Sequence, residues 1–291
     1  MITESLQHCR GVGPVRLTQL HDRGVRTWHD VLVDPERIPA PLRETLVAES
    51  RQSLEALERA DIQFFVDRFS PQDKGRILAH FLDRTSFFDI ETTGLGYDAT
   101  ITVIVCWHRG RLHTFVENEN LDEFLDLLDE VELLTSFNGS TFDVPRLIDS
   151  FHILDLPCPH LDLRWLCYHR GLKGSLKDIT AWIGNSRPSD LAGVGGDLAV
   201  ELWWAWRNRG DRTARKQLIR YCAADVLLLV LLAHHISDRP GLDADDLWSI
   251  LPTVTVENLE IPAGVRTAKQ IARDFGQASP TKLRTRCRST R

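Results

Sequence analysis

Two acidic residues lie two positions apart in the apolar segment FFDIETTGL, residues 87–95. If this segment is a strand, the two-residue alternation of side chains places Asp89 and Glu91 on one face. Two carboxylates on a buried face repel each other, and burial raises their pKa unless a cation lies between them. Carboxylate oxygens favour Mg²⁺ or Mn²⁺. The segment therefore predicts a metal site, and an edge strand whose acids face water is the alternative.

Two more acidic residues stand in strings that could form part of the same site. Asp143 ends the string FNGSTFD, residues 137–143, where the next helix is expected to begin. The alternative role of Asp143 is to cap that helix. In YCAAD, Tyr221 and Asp225 are four residues apart, so on a helix they share a face. Asp225 precedes the apolar run 226–233, which predicts that it lies at the head of a helix. There it is either buried with a partner or at the rim of a cleft, and an acid stabilised by the helix dipole is the alternative.

The three strings together resemble the motifs of the DEDD exonucleases, the proofreading branch of the ribonuclease H-like superfamily. They match FDIETTGL, NxxxFD and YxxxD in the order and approximate spacing of that family. Tyr221, four residues before Asp225, is similar to the tyrosine subtype, because the histidine subtype would have His where Arg220 stands.

The resemblance covers about residues 84–235. Within the DEDD exonucleases, the strings HLDL (160–163) and KGSLK (173–177) and the helices that follow look like the bacterial YprB-like group. The fold that this implies is α/β: a ribonuclease H-like mixed β-sheet flanked by helices, preceded by a small all-helical domain.

The activity that the resemblance implies is two-metal-ion, 3′-to-5′ exonucleolytic hydrolysis of phosphodiester bonds in nucleic acid, with two Mg²⁺ or Mn²⁺ ions. Asp89, Glu91 and Asp225 would hold one ion, while Asp89 would bridge to a second. Tyr221 would orient the attacking water, because a phenol with a pKa of about 10 is a poor general base at neutral pH. The residues implied as catalytic are Asp89, Glu91, Asp143, Tyr221 and Asp225, and the four carboxylates among them are the implied metal ligands.

Contacts to nucleic acid are predicted at glycines and basic residues outside these motifs. The turn Gly11-Val12-Gly13 lies between two short helical patterns and resembles a helix-hairpin-helix, whose backbone amides bind phosphate. A structural or protein-binding pair of helices is the alternative. Lys173 and Lys177 could contact phosphates, or could be exposed lysines at a helix start. The residues predicted to bind nucleic acid are Gly11, Gly13, Arg16, Thr92, Asn138, Lys173 and Lys177.

The elements that must position these residues follow from hydrophobic periodicity. Three successive strands close enough for hairpins are predicted at 86–91, 101–107 and 112–116, and later strands at 133–137 and 160–163. Helices are predicted at 121–128 and 145–153, and most of 164–235 is expected to be helical, with a loop at 186–196. This order predicts an α/β domain with a mixed sheet.

Three regions are predicted along the chain. Residues 1–70 form a helical, helix-hairpin-helix-like domain, 76–252 the ribonuclease H-like domain, and 253–291 a basic, partly disordered tail. A polar linker is expected at 70–75. The tail from residue 265 holds 8 basic residues and 1 acidic residue, although the whole chain carries a net charge of −6. An acidic centre with a basic end is common in enzymes that process polyanions.

Composition excludes several other classes of protein. The chain has 291 residues, 43% hydrophobic and 26% charged, which excludes collagen, coiled-coil rods and wholesale disorder. Its longest apolar run has eight residues, and the first ten lack the apolar core of a signal peptide, so no membrane partner is expected. Six scattered cysteines indicate reduced thiols in the cytoplasm.

The sequence thus predicts a nuclease for which DNA is favoured over RNA, with DNA repair as a plausible setting. An RNA-trimming exonuclease and a catalytically silent nucleic-acid-binding or scaffold protein on a nuclease fold are the alternatives. Protein partners are not predicted.

Overall fold

A computed structural model describes residues 1–96, 98–191 and 195–254, so the predicted tail lies, from Thr255 onward, outside the described residues. The strands are β1 (Thr85–Thr92), β2 (Ile101–His108), β3 (Arg111–Val116), β4 (Leu133–Ser136) and β5 (His160–Asp162). The α-helices are α1 (Pro14–Asp22), α2 (Trp28–Val33), α3 (Ala40–Glu58), α4 (Ile62–Arg68), α5 (Lys74–Phe81), α6 (Glu123–Leu128), α7 (Asp143–Phe151), α8 (Leu163–His169), α9 (Leu176–Trp182), α10 (Gly196–Arg209), α11 (Arg212–Ile236) and α12 (Ala244–Trp248).

The five strands form one mixed sheet in the order β3-β2-β1-β4-β5. The first three strands are antiparallel neighbours, as their short connections require, whereas β4 and β5 run parallel to β1. The predicted α/β fold with a mixed sheet flanked by helices is therefore confirmed. β1 lies in the middle of the sheet, so both of its edges are paired with neighbouring strands.

The two faces of the sheet pack against different helices. Phe88 and Ile90 of β1 point into a small core with residues of α6 and α7. Phe87 points the other way, into a larger core that includes α11. The residues between them in sequence, Asp89 and Glu91, share the Phe87 face, because side chains alternate along a strand. The alternation therefore directs both carboxylates toward α11.

Helix α11 is the central element of the larger core. It has 25 residues and contacts β1 and β2 as well as five of the other helices. By length and composition it could cross a membrane, but 78% of its most apolar window is buried inside the protein. Because α11 is buried on nearly all sides, a long apolar sequence is expected for it as a core helix.

The N-terminal helices share the larger core with the sheet. Leu6, Trp28 and Phe65 belong to the same buried cluster as Val103 of β2 and the residues of α11. Residues 70–75, predicted to be a linker, include the beginning of α5. Their Asp73 accepts hydrogen bonds from the Ser5 hydroxyl at 2.9 Å and from Arg76 at 3.0 Å. The division into domains at 1–70 and 76–252 stays a prediction.

The turn at Gly11 differs from the predicted helical pair. Its second half is α1, but among the described residues only a 3-10 turn, Ile2–Glu4, precedes it as a helix. Gly11 has a φ of +85°, which favours glycine, and its carbonyl accepts a hydrogen bond of 2.7 Å from the Arg16 guanidinium. Gly13 caps α1. Arg16 therefore stabilises the turn, and binding of nucleic acid by Gly11, Gly13 and Arg16 stays a prediction.

Candidate active site

The acidic pair of β1 lies against α11. Asp89 pairs with Val105 and Glu91 with Val103 in the register of β1 and β2. One oxygen of each carboxylate and the thiol of Cys222 all lie within 4.8 Å of one another. The pair does not face open solvent on an edge strand, which was the alternative from the sequence, because β1 has a neighbour on each side.

Tyr221 and Asp225 lie on the face of α11 that is turned toward this pair. Both side chains are buried, and Asp225 is only 8% exposed. The prediction that Asp225 begins a helix is wrong: α11 begins at Arg212, and Asp211 caps it by accepting hydrogen bonds from two backbone amides. Asp225 is therefore interior to the helix, so the helix dipole is not what stabilises its charge.

Asp143 reaches the cluster from the segment that connects β4 to α7. It is the first residue of α7 and is buried. Gly139 leaves room for it: a Cβ at position 139 would lie 1.8 Å from the Ser136 hydroxyl and 3.1 Å from an Asp143 carboxylate oxygen. A side chain at this turn would therefore collide with Ser136 and crowd Asp143.

Burial and mutual repulsion perturb three of these carboxylates in the same direction. Burial, followed by the charges of Asp143, Asp225 and Glu91, raises the pKa of Asp89 well above its usual range. Burial and the charge of Asp225 raise the pKa of Glu91 to about 8. Burial raises the pKa of Asp143 to about 7, although backbone hydrogen bonds oppose it. The cluster lacks enough positive charge to keep all its carboxylates ionised at neutral pH.

A guanidinium supplies part of that charge. Arg187 Nε donates to Asp225 Oδ1 at 2.6 Å, and Arg187 Nη2 also contacts Asp225 Oδ2. The same guanidinium lies 4.2 Å from the centre of the Tyr221 ring. The Arg187 side chain is only 5% exposed, so this ion pair is largely withdrawn from water.

A second cation, Lys177, reaches the tyrosine from α9. Its Nζ donates to the Tyr221 hydroxyl at 3.2 Å. Burial and the charge of Asp225 raise the pKa of Tyr221 above its usual range, so the phenol stays protonated. A neutral hydroxyl can orient a water molecule or a phosphate oxygen, but it cannot accept a proton as a phenolate would.

The donor set fits a hard divalent cation. Carboxylate oxygens of Asp89 and Glu91 are close enough to share one ion, and Asp143 and Asp225 add negative charge beside them. Burial and the charge of Asp89 raise the pKa of Cys222, so its thiol stays protonated and supplies no thiolate ligand. A divalent cation would supply the positive charge that the raised pKa values show to be missing.

The other residues predicted to contact nucleic acid lie at different distances from the cluster. Thr92 ends β1, and its hydroxyl donates to the Gly94 carbonyl at 2.6 Å. Asn138 precedes Gly139 in the turn beside Asp143, with a positive φ of 65°. Lys173 is exposed in the segment that leads into α9. Contact of these residues with nucleic acid stays a prediction.

Two residues of the site were not predicted from the sequence. Arg187 is 38 positions from its partner Asp225, in a stretch predicted only as a loop. Cys222 was counted with the scattered cysteines, although its place directly after Tyr221 puts it within one turn of Asp225 and could have indicated a position beside the acids. The five described cysteines are free and buried.

A family model for the RNase H superfamily matches residues 86–237, which include the sheet, all four carboxylates and α11. The chain belongs to the RNase H superfamily. Membership in this superfamily supports a hydrolase that acts on nucleic acid. The match begins in β1 and ends one residue after α11, so it covers the three elements that carry the acidic cluster, β1, α7 and α11.

Comparisons with solved structures and with curated proteins do not extend the superfamily assignment. The chain is similar to the family B DNA polymerase of the hyperthermophilic archaeon Pyrobaculum calidifontis, with 18% identity and a TM-score of 0.41. The similarity covers 57% of this chain and 27% of the polymerase chain, so the chain spans about a quarter of the polymerase. Comparison with curated proteins gives no match.

Proposed function

We propose that the protein is a Mg²⁺- or Mn²⁺-dependent 3′-to-5′ exonuclease of the DEDD tyrosine subtype, in the YprB-like group. The observation that carries the proposal is the meeting of Asp89 and Glu91 with Asp143, Tyr221 and Asp225, which belong to three separate elements of the fold. A solvated acidic surface would not bring these side chains together in a half-buried site with raised pKa values.

Each residue has a role that follows from its position. Asp89, Glu91 and Asp225 would hold one divalent cation, and Asp89 with Asp143 a second. Bound ions of this kind activate a water and stabilise the leaving oxygen of a phosphodiester. The protonated Tyr221 would hold the attacking water in line by hydrogen bonding, with Lys177 fixing the position of the phenol.

DNA is the substrate that we favour over RNA, because the sequence of the Gly11–Gly13 turn resembles that of a DNA-binding hairpin, although a 3-10 turn stands where the first helix of such a hairpin would be. DNA repair is a plausible setting for the activity, and the cytoplasm a plausible location. An RNA-trimming exonuclease would use the same cluster, so the substrate must be determined by assay.

One observation favours a second candidate, a nucleic-acid-binding or scaffold protein on an inactive nuclease fold. Arg187 already neutralises Asp225, one of the proposed ligands. If no divalent cation displaces this guanidinium, the cluster would bind metal with an incomplete set of carboxylates. The two candidates therefore differ in whether metal ions support cleavage.

The test is hydrolysis of 5′-labelled single-stranded DNA and RNA with Mg²⁺ or Mn²⁺. We expect a ladder that shortens from the 3′ end and is stopped by a blocked 3′ terminus. Asp89→Ala should abolish the ladder, whereas Asp98→Asn, which changes an exposed carboxylate, should retain it. Absence of cleavage of both substrates by the wild-type chain, or full activity of Asp89→Ala, would refute the proposal.

A further inference from the structure

Two large aromatic side chains on α8 are left outside the core. Trp165 is 46% exposed and Tyr168 is 49% exposed, whereas Leu163, Leu166 and Cys167 of the same helix are buried. The spacing of three residues places the two aromatic rings on one side of the helix, with their centroids 6.1 Å apart and their planes at 75°. Neighbouring aromatic rings that are exposed to solvent are typical of a surface that binds a ligand.

A basic side chain lies beside each of these rings. The Arg164 guanidinium is 5.9 Å from the centre of the Trp165 ring, and Lys173 Nζ is 5.2 Å from the centre of the Tyr168 ring. In the described part of the chain, neither cation takes part in an ion pair. The α8 face, defined as Arg164, Trp165, Tyr168 and Lys173, therefore combines π surfaces with positive charge.

Two segments of the chain connect the α8 face with the surroundings of the acidic cluster. Arg164 Nη1 donates to the side-chain oxygen of Asn138. The backbone N–H of Asn138 donates to Asp162 Oδ1 at 2.7 Å, in the turn that leads to Asp143. Lys173 is four residues before Lys177, which contacts Tyr221. A groove of about 340 Å³ also borders Trp165. A ligand on this face would therefore lie beside the turn that leads to Asp143 and beside the start of α9, which carries Lys177.

We propose that the α8 face binds unpaired nucleotides of the strand whose end is cut at the acidic cluster; this rests on the proposed function. Aromatic rings stack on the faces of unpaired bases, and adjacent cations bind the phosphates between them. Bases in a duplex are stacked on each other and offer no free face to Trp165 or Tyr168. The chemistry therefore selects a single strand, and it is tolerant of base sequence.

The test measures binding without cleavage, by fluorescence anisotropy of a labelled single-stranded DNA with the full chain in EDTA. We expect Trp165→Ala with Tyr168→Ala to weaken binding by more than about tenfold, since each stacked base contributes at least about fivefold. Trp165→Phe with Tyr168→Phe should retain most of the affinity. Trp204→Ala is the matched control, because Trp204 is 45% exposed on α10. The affinity of this variant for the single-stranded DNA should equal that of the wild type.

An abasic strand of the same length separates stacking from phosphate binding. It has phosphates but no bases, so the wild type and the double alanine variant should bind it equally. Arg164→Gln with Lys173→Gln should instead weaken binding to both strands and reduce its salt dependence. This second pair keeps the proposal testable if the alanine variant does not fold.

Two results would overturn the proposal. One is unchanged affinity of the double alanine variant for the normal strand, and the other is an equal loss of affinity for the normal and abasic strands. Neither result bears on cleavage, which Asp89→Ala tests separately. A protein that cleaves but binds equally well without the two aromatic rings would retain the exonuclease assignment and lose only the role of the α8 face.

Discussion

Arg187 and Asp225 form a two-point ion pair inside the acidic cluster, with one N–O distance of 2.6 Å. The carboxylate that Arg187 contacts is one of the four that we propose as metal ligands. A guanidinium that contacts both oxygens competes with a divalent cation for the same carboxylate. We therefore expect binding of metal through Asp225 to weaken or displace the Arg187 pair.

The first prediction concerns this competition. Arg187→Gln should increase the affinity for Mn²⁺ several-fold, because the ion no longer displaces a guanidinium. The same change should lower the stability of the metal-free protein by about 3–5 kcal/mol, the usual cost of leaving a buried charge without its partner. Titration calorimetry with Mn²⁺ and thermal unfolding in EDTA measure the two effects.

The control for this prediction is Arg215→Gln. Arg215 also forms a two-point pair on α11, with Glu119, but that pair is more exposed and far along the helix from Asp225. Its loss should change neither Mn²⁺ affinity nor stability by much. Weaker Mn²⁺ binding by Arg187→Gln would contradict the competition and show that Arg187 supports the site.

The second prediction is a pH dependence of the metal-free protein. Folding raises the pKa of Glu91 from 4.5 to about 8 and that of Asp143 from 3.8 to about 7. On these two groups the folded state holds protons that the unfolded state releases, so their contribution to stability is complete below about pH 4 and is lost as pH rises toward about 8. Burial lowers the pKa of His160 to about 4, and this opposes the trend below the ordinary histidine pKa of 6.5. Unfolding midpoints in EDTA should therefore fall between about pH 6.5 and 8, and saturating Mg²⁺ should flatten the profile.

Asp89→Asn should also flatten this profile, because it removes one of the interacting charges from the cluster. Its metal-free form should be as stable as the wild type or more stable. Asp98→Asn, at an exposed carboxylate, should reproduce the wild-type profile. A midpoint that rises with pH in EDTA would show that the cluster is not short of positive charge.

The third prediction separates the role of Tyr221 from metal binding. Tyr221→Phe keeps the ring that Arg187 covers and removes the hydroxyl that accepts from Lys177. We expect kcat to fall by about 10²-fold, the effect of misplacing a reacting group, while KM and the Kd for Mn²⁺ stay close to the wild-type values. An unchanged kcat, measured in single-turnover assays, would exclude the hydroxyl from positioning the water.

The fourth prediction tests the turn that holds Asp143. Gly139→Ala would place a Cβ 1.8 Å from the Ser136 hydroxyl, so the turn must shift. We expect a loss of about 1–3 kcal/mol in the free energy of unfolding and a loss of cleavage, because Asp143 moves with the turn. Gly75→Ala, where a Cβ meets nothing within 4 Å, should affect neither. Normal activity in Gly139→Ala would mean that Asp143 tolerates displacement.

The fifth prediction concerns the Gly11–Gly13 turn. Arg16 donates to the Gly11 carbonyl in the turn and Arg23 to the Arg37 carbonyl, so their substitution would disturb the fold of this region. Arg10 and Arg26 are exposed on the same segment, and replacing both by Gln tests phosphate binding with less risk to the fold. If both contact phosphate, the slope of log affinity against log salt should decrease by about two.

Arg207→Gln, on the exposed side of α10, is the control for that measurement and should leave the salt dependence unchanged. An unchanged slope in the Arg10 and Arg26 variant would remove the DNA-binding role of the turn. It would leave the acidic cluster unaffected, since the cluster lies wholly within residues 86–237.

Local pattern was sufficient for the strands and for the shared face of Asp89 and Glu91. Alternation along β1 predicted that Asp89 and Glu91 share a face, and three closely spaced β-rich segments predicted the hairpins. The beginning of α11 was misjudged because residues 212–220 are polar on their outer side. A helix that is amphipathic in one half and buried in the other shows no single periodicity, and the cap at Asp211 was the better signal.

Tertiary pairing could not be predicted in the same way. The contact between Arg187 and Asp225 joins a segment without periodicity to a helix 38 positions away. The exposure of Trp165 and Tyr168 also depends on which side of α8 the core covers. Both features depend on packing between elements that are distant in sequence. The residue types alone do not predict that packing.

The location of Tyr221, Cys222 and Asp225 on α11 has a consequence for the motions of the site. Their backbone amides belong to a 25-residue helix at the centre of the core, so we expect them to exchange hydrogen with solvent only when the core unfolds. Arg187, in contrast, lies outside any helix or strand. Tyr221, Cys222 and Asp225 thus form a rigid frame, and we expect the guanidinium to be the part of the site that moves when a divalent cation binds.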